Sequence, residues 1–238
     1  MIVQTMNAQE LQKEIILDLG NVVGKVPHLV PSIRRKMYKR KEKKFTETVE
    51  YMSPKKNLWH IRITVNKKNP ELVETAQQIY LPLTEEIYQP YMIDGMGGHG
   101  LWMGLGSIEH ITRHCLRRYR ERFLKDETIP LDRVAKRILK NGENGIHIDD
   151  KKVLLDNVDG IQFETTKTFF KTIEDGIQFG SVEKIEGKHL IFHNATFITY
   201  DMIYDDQADM TIKLAAAMKD FKEEYFEQIE QLYKTNKK

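Results

Sequence analysis

Cysteine is nearly absent from this chain: among 238 residues there is one, Cys115. A single thiol closes no internal disulfide, which excludes a stapled secreted scaffold and suits a reducing compartment. Long apolar runs are missing too. No stretch approaches the roughly 18–20 residues that cross a bilayer. The opening segment MIVQTMNAQELQKEIILDLG has neither a basic n-region nor a small-residue cleavage site. The expectation is a cytoplasmic protein without membrane contact. No Gly-x-Ser-x-Gly elbow occurs. The one glycine-rich run, Gly95-Met96-Gly97-Gly98-His99-Gly100, is not followed by Lys-Ser/Thr or by a clear helix, so it reads as a flexible connection rather than a phosphate cradle. Nothing in the sequence requires a cofactor or a metal.

What is present is ordinary globular material, 40% hydrophobic and 30% charged, enough to bury a core. The net charge of +2 conceals an uneven distribution. Between Lys25 and Lys44 nine Lys/Arg face one acid, Glu42, whereas from Asp201 onward nine acids face six lysines. Arg34, Arg35, Lys36, Lys39 and Arg40 are the candidate nucleic-acid contacts in the basic block. A run of this kind is usually a solvated helix face, and it acquires a role only if a second basic surface lies beside it.

The hydrophobic periods predict an α+β fold. Asn7 with Glu10 resembles a capping box opening a helix to about Leu19, and a second helix runs from about Ser32 to Lys43, with Gly20, Gly24, Pro27 and Pro31 interrupting between them. Alternating runs 45–52 and 58–66 predict a β-hairpin. Residues 76–94, carrying Pro82 and Pro90, read as edge strands or irregular structure. Ile108–Ile111 is a short strand, Thr112 caps a helix to about Leu124, and a further helix spans about Leu131–Lys140, with Gly142 at its C′ position. Residues 144–158 read as a polar loop with a weak strand, and 162–173 fits either helix or strand. A β-meander follows over 176–200, in three strands with turns at 186–188 and at Asn194-Ala195. A long final helix covers about 207–233, and its apolar stripe would suit a protein partner or a second copy of the chain. The Gly95–Gly100 run suggests a division into a helix-and-hairpin region, 1–100, and an α+β module, 101–238.

The densest chemistry lies on the helix capped by Thr112. With His114 at 0° and about 100° per residue, Arg118 falls near 40° and Arg122 near 80°, beside an apolar arc of Cys115, Leu116, Tyr119 and Phe123. A histidine in the first turn lies beside unpaired N–H groups and the positive end of the helix dipole, and two arginines then complete an anion-binding stripe. Positive surroundings favour the neutral imidazole, the form that acts as a base. Equally, arginines flanking a core often pair with structural carboxylates. His110 and His114 have the i, i+4 spacing of a zinc-protease helix, but Ile111 occupies the place of the essential acid, and a helix that begins at Thr112 separates the two histidines.

The pattern Thr112-x-His114-x-x-x-Arg118-x-x-x-Arg122, then a proline-opened helix ending Leu139-Lys140-Asn141-Gly142, then a meander ending Phe197-Ile198-Thr199, resembles small T/S-x-H-x3-R-x3-R domains thought related to the barnase/RelE-type ribonuclease fold. Several of those domains look like toxins of toxin–antitoxin systems. The resemblance covers about 108–204 and implies helices packed on a twisted antiparallel sheet. It carries His114, Arg118, Arg122 and Thr199 over as site residues for metal-independent RNA cleavage. In such a reaction a base deprotonates the 2′-hydroxyl and cations hold the phosphorane. His114 is then the acid or base, Arg118 and Arg122 hold phosphate, Thr199 positions it, and Glu183 is a second acid/base candidate. This chain adds about 30 residues before the meander and about 107 before the motif. The competing expectation is a non-catalytic accessory protein that binds nucleic acid or protein.

Overall fold

Gly20, Gly24, Pro27 and Pro31 do not break the first helix; they mark its outward face. The computed structural model describes residues 1–3, 5–90, 107–141, 143–149, 168–185 and 190–202. In it one continuous helix, α1, runs Ala8–Arg40 and replaces the two helices expected. At about 100° per residue the four breakers fall within roughly 60° of one another, and all four are exposed. Leu11, Ile15, Leu19, Val22, Val30, Ile33 and Met37 are buried on the opposite side. The carbonyls that lose a donor to proline therefore face water, which supplies a replacement. The magnitudes agree. Two prolines and two glycines cost about 8 kcal/mol relative to alanine, whereas seven buried apolar side chains contribute roughly 10–20 kcal/mol. The expected capping box is present, with Glu10 N–H donating to Asn7 Oδ1 at 2.9 Å and Asn7 N–H to Glu10 Oε2 at 3.0 Å.

Among the described residues the sheet has nine strands. The first five are β1 (Lys44–Met52), β2 (Leu58–Asn66), β3 (Val73–Leu81), β4 (Glu86–Pro90) and β5 (Ile108–Ile111). Helix α2 (Arg113–Tyr119), a π-helical turn (Arg120–Leu124) and helix α3 (Leu131–Asn141) then lead to β6 (Glu143–Asp149), β7 (Thr168–Ile173), β8 (Gly176–Lys184) and β9 (Leu190–Ile198). The spatial order is β1-β2-β3-β4-β5-β9-β8-β7-β6. Two antiparallel meanders thus meet along one parallel seam, β5 against β9. The sheet is therefore mixed, not wholly antiparallel. It also continues across the expected division at residue 100, because β4 pairs with β5. Residues 76–81 and 86–90 occupy interior strands. Pro82 lies in the turn and Pro90 ends β4, so neither removes a mid-strand donor. The open reading of 162–173 resolves to a strand from Thr168.

Alternation sorts the strands into two faces. Phe45, Trp59, Ile61, Ile63, Val65 and Ile79 pack under α1. Tyr80, Ile87, Ile111 and Phe197 pack on the other side under α2 and α3, around Cys115, Leu116, Tyr119, Val134 and Ile138. Asp18, fully buried on α1, fastens that helix to the β1–β2 turn. Its Oδ2 accepts from Ser53 Oγ (2.6 Å), Asn57 Nδ2 (2.7 Å) and Trp59 Nε1 (2.8 Å), and its Oδ1 from Asn21 Nδ2 (3.2 Å). Burial raises its pKa, but the four hydrogen bonds outweigh burial and leave it below the usual carboxylate value.

Asn194-Ala195 is a β-bulge inside one long strand, not a turn between two. Phe179 pairs with Thr196 and Gly180 with Asn194, which leaves Ala195 as the extra residue. Glycine is needed opposite the bulge: a Cβ on Gly180 would lie 1.8 Å from the His193 carbonyl oxygen. The final helix over 207–233, Gly142 and the Gly95–Gly100 run lie outside the described residues. Among the described residues no helix is long and apolar enough to cross a membrane.

Candidate functional site

Helix α2 begins where the sequence places it because Thr112 bonds in two directions. Its Oγ1 accepts from Cys115 N–H at 3.2 Å, capping the helix, and donates to the Asn194 carbonyl at 2.9 Å. Beneath α2 lies a buried ion pair. Lys171 Nζ is 2.7 Å from both Glu109 oxygens, and Asn194 Nδ2 donates to Glu109 Oε1 at 2.7 Å. These side chains are at most 2% exposed, so the pair fixes the β5–β9–β8–β7 register under the helix and does not face solvent. Cys115 is fully buried, and burial pushes its thiol pKa well up, which agrees with an unreactive thiol.

The stripe on α2 forms in part. Arg118 Nε donates to His114 Nε2 at 3.3 Å, while its Nη1 contacts Glu121 Oε2 at 3.0 Å. An imidazole nitrogen that accepts from a guanidinium is unprotonated, so this bond selects neutral His114. Arg122 follows in the π-helical turn and is drawn inward, its Nη1 donating to the Phe197 carbonyl at 2.6 Å. Thr199 lies two residues beyond that carbonyl and its hydroxyl bonds Asp201, which holds that exposed carboxyl below its usual pKa. His114 is exposed and Arg118, Arg122 and Thr199 are half-buried. The four side chains therefore run from the start of α2 to the end of β9, each of the last three engaged within the fold. Tyr119 is buried in the core, with its hydroxyl bonded to Asp175 and Arg137.

The basic block divides by task. Arg34 donates to the Pro70 carbonyl, Lys36 pairs with Glu47 at 2.5 Å, and Arg40 stacks over Phe45 at 5.1 Å. Arg35 and Lys39 are exposed. The second basic surface that the sequence left unspecified is the turn after β2. Lys67 N–H donates to the Lys43 carbonyl at 2.8 Å, which joins the segment carrying exposed Lys67 and Lys68 to the one carrying exposed Lys41 and Lys43. This basic edge belongs to the α1 face, whereas His114 and Arg118 belong to the α2 face. A ligand touching both would have to wrap an edge of the sheet, so they are two surfaces.

A third group crosses the parallel seam on the α1 face. His110 on β5 and His193 on β9 are register partners, with Nδ1 atoms 3.0 Å apart. Glu86 Oε2 lies 3.5 Å from His110 Nε2, and Glu183 Oε2 lies 3.0 Å from His193 Nε2. Tyr88 stacks on His110 with ring centroids 4.4 Å apart. Burial first, then the charge of His110, lowers the His193 pKa, with Glu183 opposing; hydrogen bonding to His110 lowers that of Glu86 against the effect of burial. Sequence reasoning named Glu183 but missed both histidines as a pair, because they are 83 residues apart in the chain. The only local signal was alternation in Ile108-Glu109-His110-Ile111, which puts His110 and Glu109 on opposite faces. His110 and His114 likewise fall on opposite sides of the sheet, so they share no metal. Among the described residues no group of three or more His, Cys, Asp or Glu is arranged to hold a metal ion.

Compared with protein-family models, curated proteins and solved structures, the chain matches none.

Proposed function

We propose that this protein binds a nucleic-acid phosphate backbone, RNA in the first instance, through the basic edge where α1 ends. The observation that carries this reading is the Lys67–Lys43 backbone bond, which joins the segment holding exposed Lys67 and Lys68 to the one holding exposed Lys41 and Lys43. Exposed lysines on two adjoining backbone segments can form a phosphate-binding footprint, since each neutralised phosphate releases counterions. The choice of RNA over DNA rests on the resemblance of the α2 motif to ribonuclease-type domains. With about four phosphate contacts, the affinity for single-stranded RNA should fall with salt at a log–log slope near −3. Lys67→Glu with Lys68→Glu should weaken binding at least about tenfold and flatten that slope by about 1–2. Equal binding by the double variant would refute the assignment, and tighter binding to DNA of the same length would refute the choice of RNA.

A second reading, metal-independent RNA cleavage on the α2 face, is favoured by the Arg118–His114 bond, which pairs a neutral imidazole with a guanidinium. His114 would act as base, with Arg118 and Arg122 on the phosphate and Thr199 positioning it. Here His114→Ala should abolish cleavage while leaving RNA affinity nearly unchanged. No cleavage by the wild-type chain across a broad RNA panel would leave a non-catalytic binding role.

A further inference from the structure

Strand β1 uses one side of its backbone and leaves the other open. Ser53 N–H donates to the Asn57 carbonyl at 3.0 Å and Lys67 N–H to the Lys43 carbonyl at 2.8 Å, at the two ends of the β1–β2 ladder. Antiparallel bonding alternates, so Phe45, Glu47, Val49 and Tyr51 exchange backbone bonds with β2. Lys44, Thr46, Thr48, Glu50 and Met52 turn their N–H and C=O groups outward, and among the described residues no strand pairs with that side. Native sheets blunt such an edge with proline, a bulge or exposed charge. β1 has no proline, and its register with β2 is unbroken over 9 residues. Its charged side chains are engaged within the chain: Lys44 with Glu74 at 3.3 Å, Glu47 with Lys36 at 2.5 Å, and Glu50 with Lys136. The usual electrostatic guard is therefore neutralised from inside.

We propose that the outer side of β1 is an interface between two copies of this chain, which lay their β1 strands antiparallel and join two sheets into one. The strand complements itself in one register, with Thr48 on the two-fold axis. All 9 residues then have a partner. Phe45 faces the partner's Tyr51 on the α1 side, an aromatic pair that the symmetry repeats. Thr46 faces the partner's Glu50, Glu47 faces the partner's Val49, and Thr48 faces the partner's Thr48, so no like charges stand opposite. The outward groups supply about ten new backbone bonds. Shifting the axis to Glu47 sets two carboxylates face to face, and shifting it to Val49 leaves Phe45 without its aromatic partner. Because each copy brings one β1, the contact is isologous and closes at two chains rather than growing into a fibre.

The test is sedimentation equilibrium of the full chain, in which a dimer is expected by about 100 µM. Thr48→Pro removes an outward N–H that β2 does not use, so the fold should survive while the dimer Kd rises at least about tenfold. Thr48→Lys, which keeps the backbone donor should the proline variant not fold, sets two ammonium groups together on the axis and should weaken the dimer likewise. Thr46→Lys, facing the partner's Glu50, should leave it intact. A spin label on Met52→Cys reads the register directly, since Met52 is 58% exposed and the native Cys115 is fully buried. With Met52 opposite the partner's Lys44, the two labelled positions lie about 27 Å apart along the strands. A chain that stays monomeric at about 100 µM would overturn the proposal and leave β1 open to a strand from another protein. So would a dimer that both Thr48 variants leave at full strength, or a label separation differing by more than about 10 Å.

Discussion

Replacing Asp18 by asparagine should cost about 2–3 kcal/mol of stability, for a reason visible in four hydrogen bonds. Oδ2 alone accepts from Ser53, Asn57 and Trp59. Hydrogen bonds to a charged group contribute about 1.5–3 kcal/mol each and neutral ones about 0.5–1.5. Weakening three bonds by about 1 kcal/mol each gives about 3 kcal/mol. An amide nitrogen at the Oδ1 position would also oppose the Asn21 donor. Relief of the carboxylate's desolvation offsets part of this, but only part, since the folded state lowers the Asp18 pKa despite burial. For a chain of this length the loss corresponds to a melting temperature lower by about 5–10 °C. Urea unfolding followed by tryptophan fluorescence is a suitable assay because Trp59, a partner in the network, is fully buried. The pH dependence supplies a second readout. A depressed carboxyl pKa contributes stability above its unfolded value, and that stability is lost as pH falls through the folded value. From about pH 4 downward the wild type should therefore lose stability faster than Asp18→Asn. A loss under about 0.5 kcal/mol, or parallel acid profiles for the two proteins, would refute the reasoning.

Two further expectations concern buried charge. Lys171→Met should destabilise the fold by about 3–5 kcal/mol by leaving Glu109 charged without its ammonium, and adding Glu109→Leu should recover much of that loss; a double variant no better than the single, measured by urea unfolding, would refute the pairing. His60, whose pKa burial and then the charge of Lys136 push down to about 4, should make wild-type stability fall from about pH 6.5 to about 4, because the unfolded chain binds that proton first; the difference is up to about 3 kcal/mol, and His60→Gln should flatten it. An unchanged profile in the variant would show that His60 does not carry the effect.

Much of the local structure was legible because it depends on neighbours in sequence. The Asn7–Glu10 capping box, the hairpin over 44–66 and the helix start at Thr112 need only side chains within a few residues of the backbone groups they satisfy. The same locality placed Cys115 and Tyr119 on the buried arc and aligned His114 with Arg118. Local rules failed where a distant surface decided the outcome. Gly20, Gly24, Pro27 and Pro31 signal interruption one by one, and only the sheet, by burying the opposite face of α1, makes a continuous helix the lower free energy. Asn194-Ala195 reads as a turn until Gly180 lies opposite, leaving room for a bulge.

By itself, then, the sequence determined the α+β class, the ends of most short elements and the presence of a basic block, since periodicity, caps and composition are properties of adjacent residues. Tertiary structure alone decided that β5 and β9 lie parallel, that Lys67 and Lys68 extend the basic edge, and that His110 meets His193 between two glutamates. Strand order is a choice among pairings of similar local energy, settled by which arrangement buries both faces of the sheet at once. No residue's neighbours along the chain carry that information.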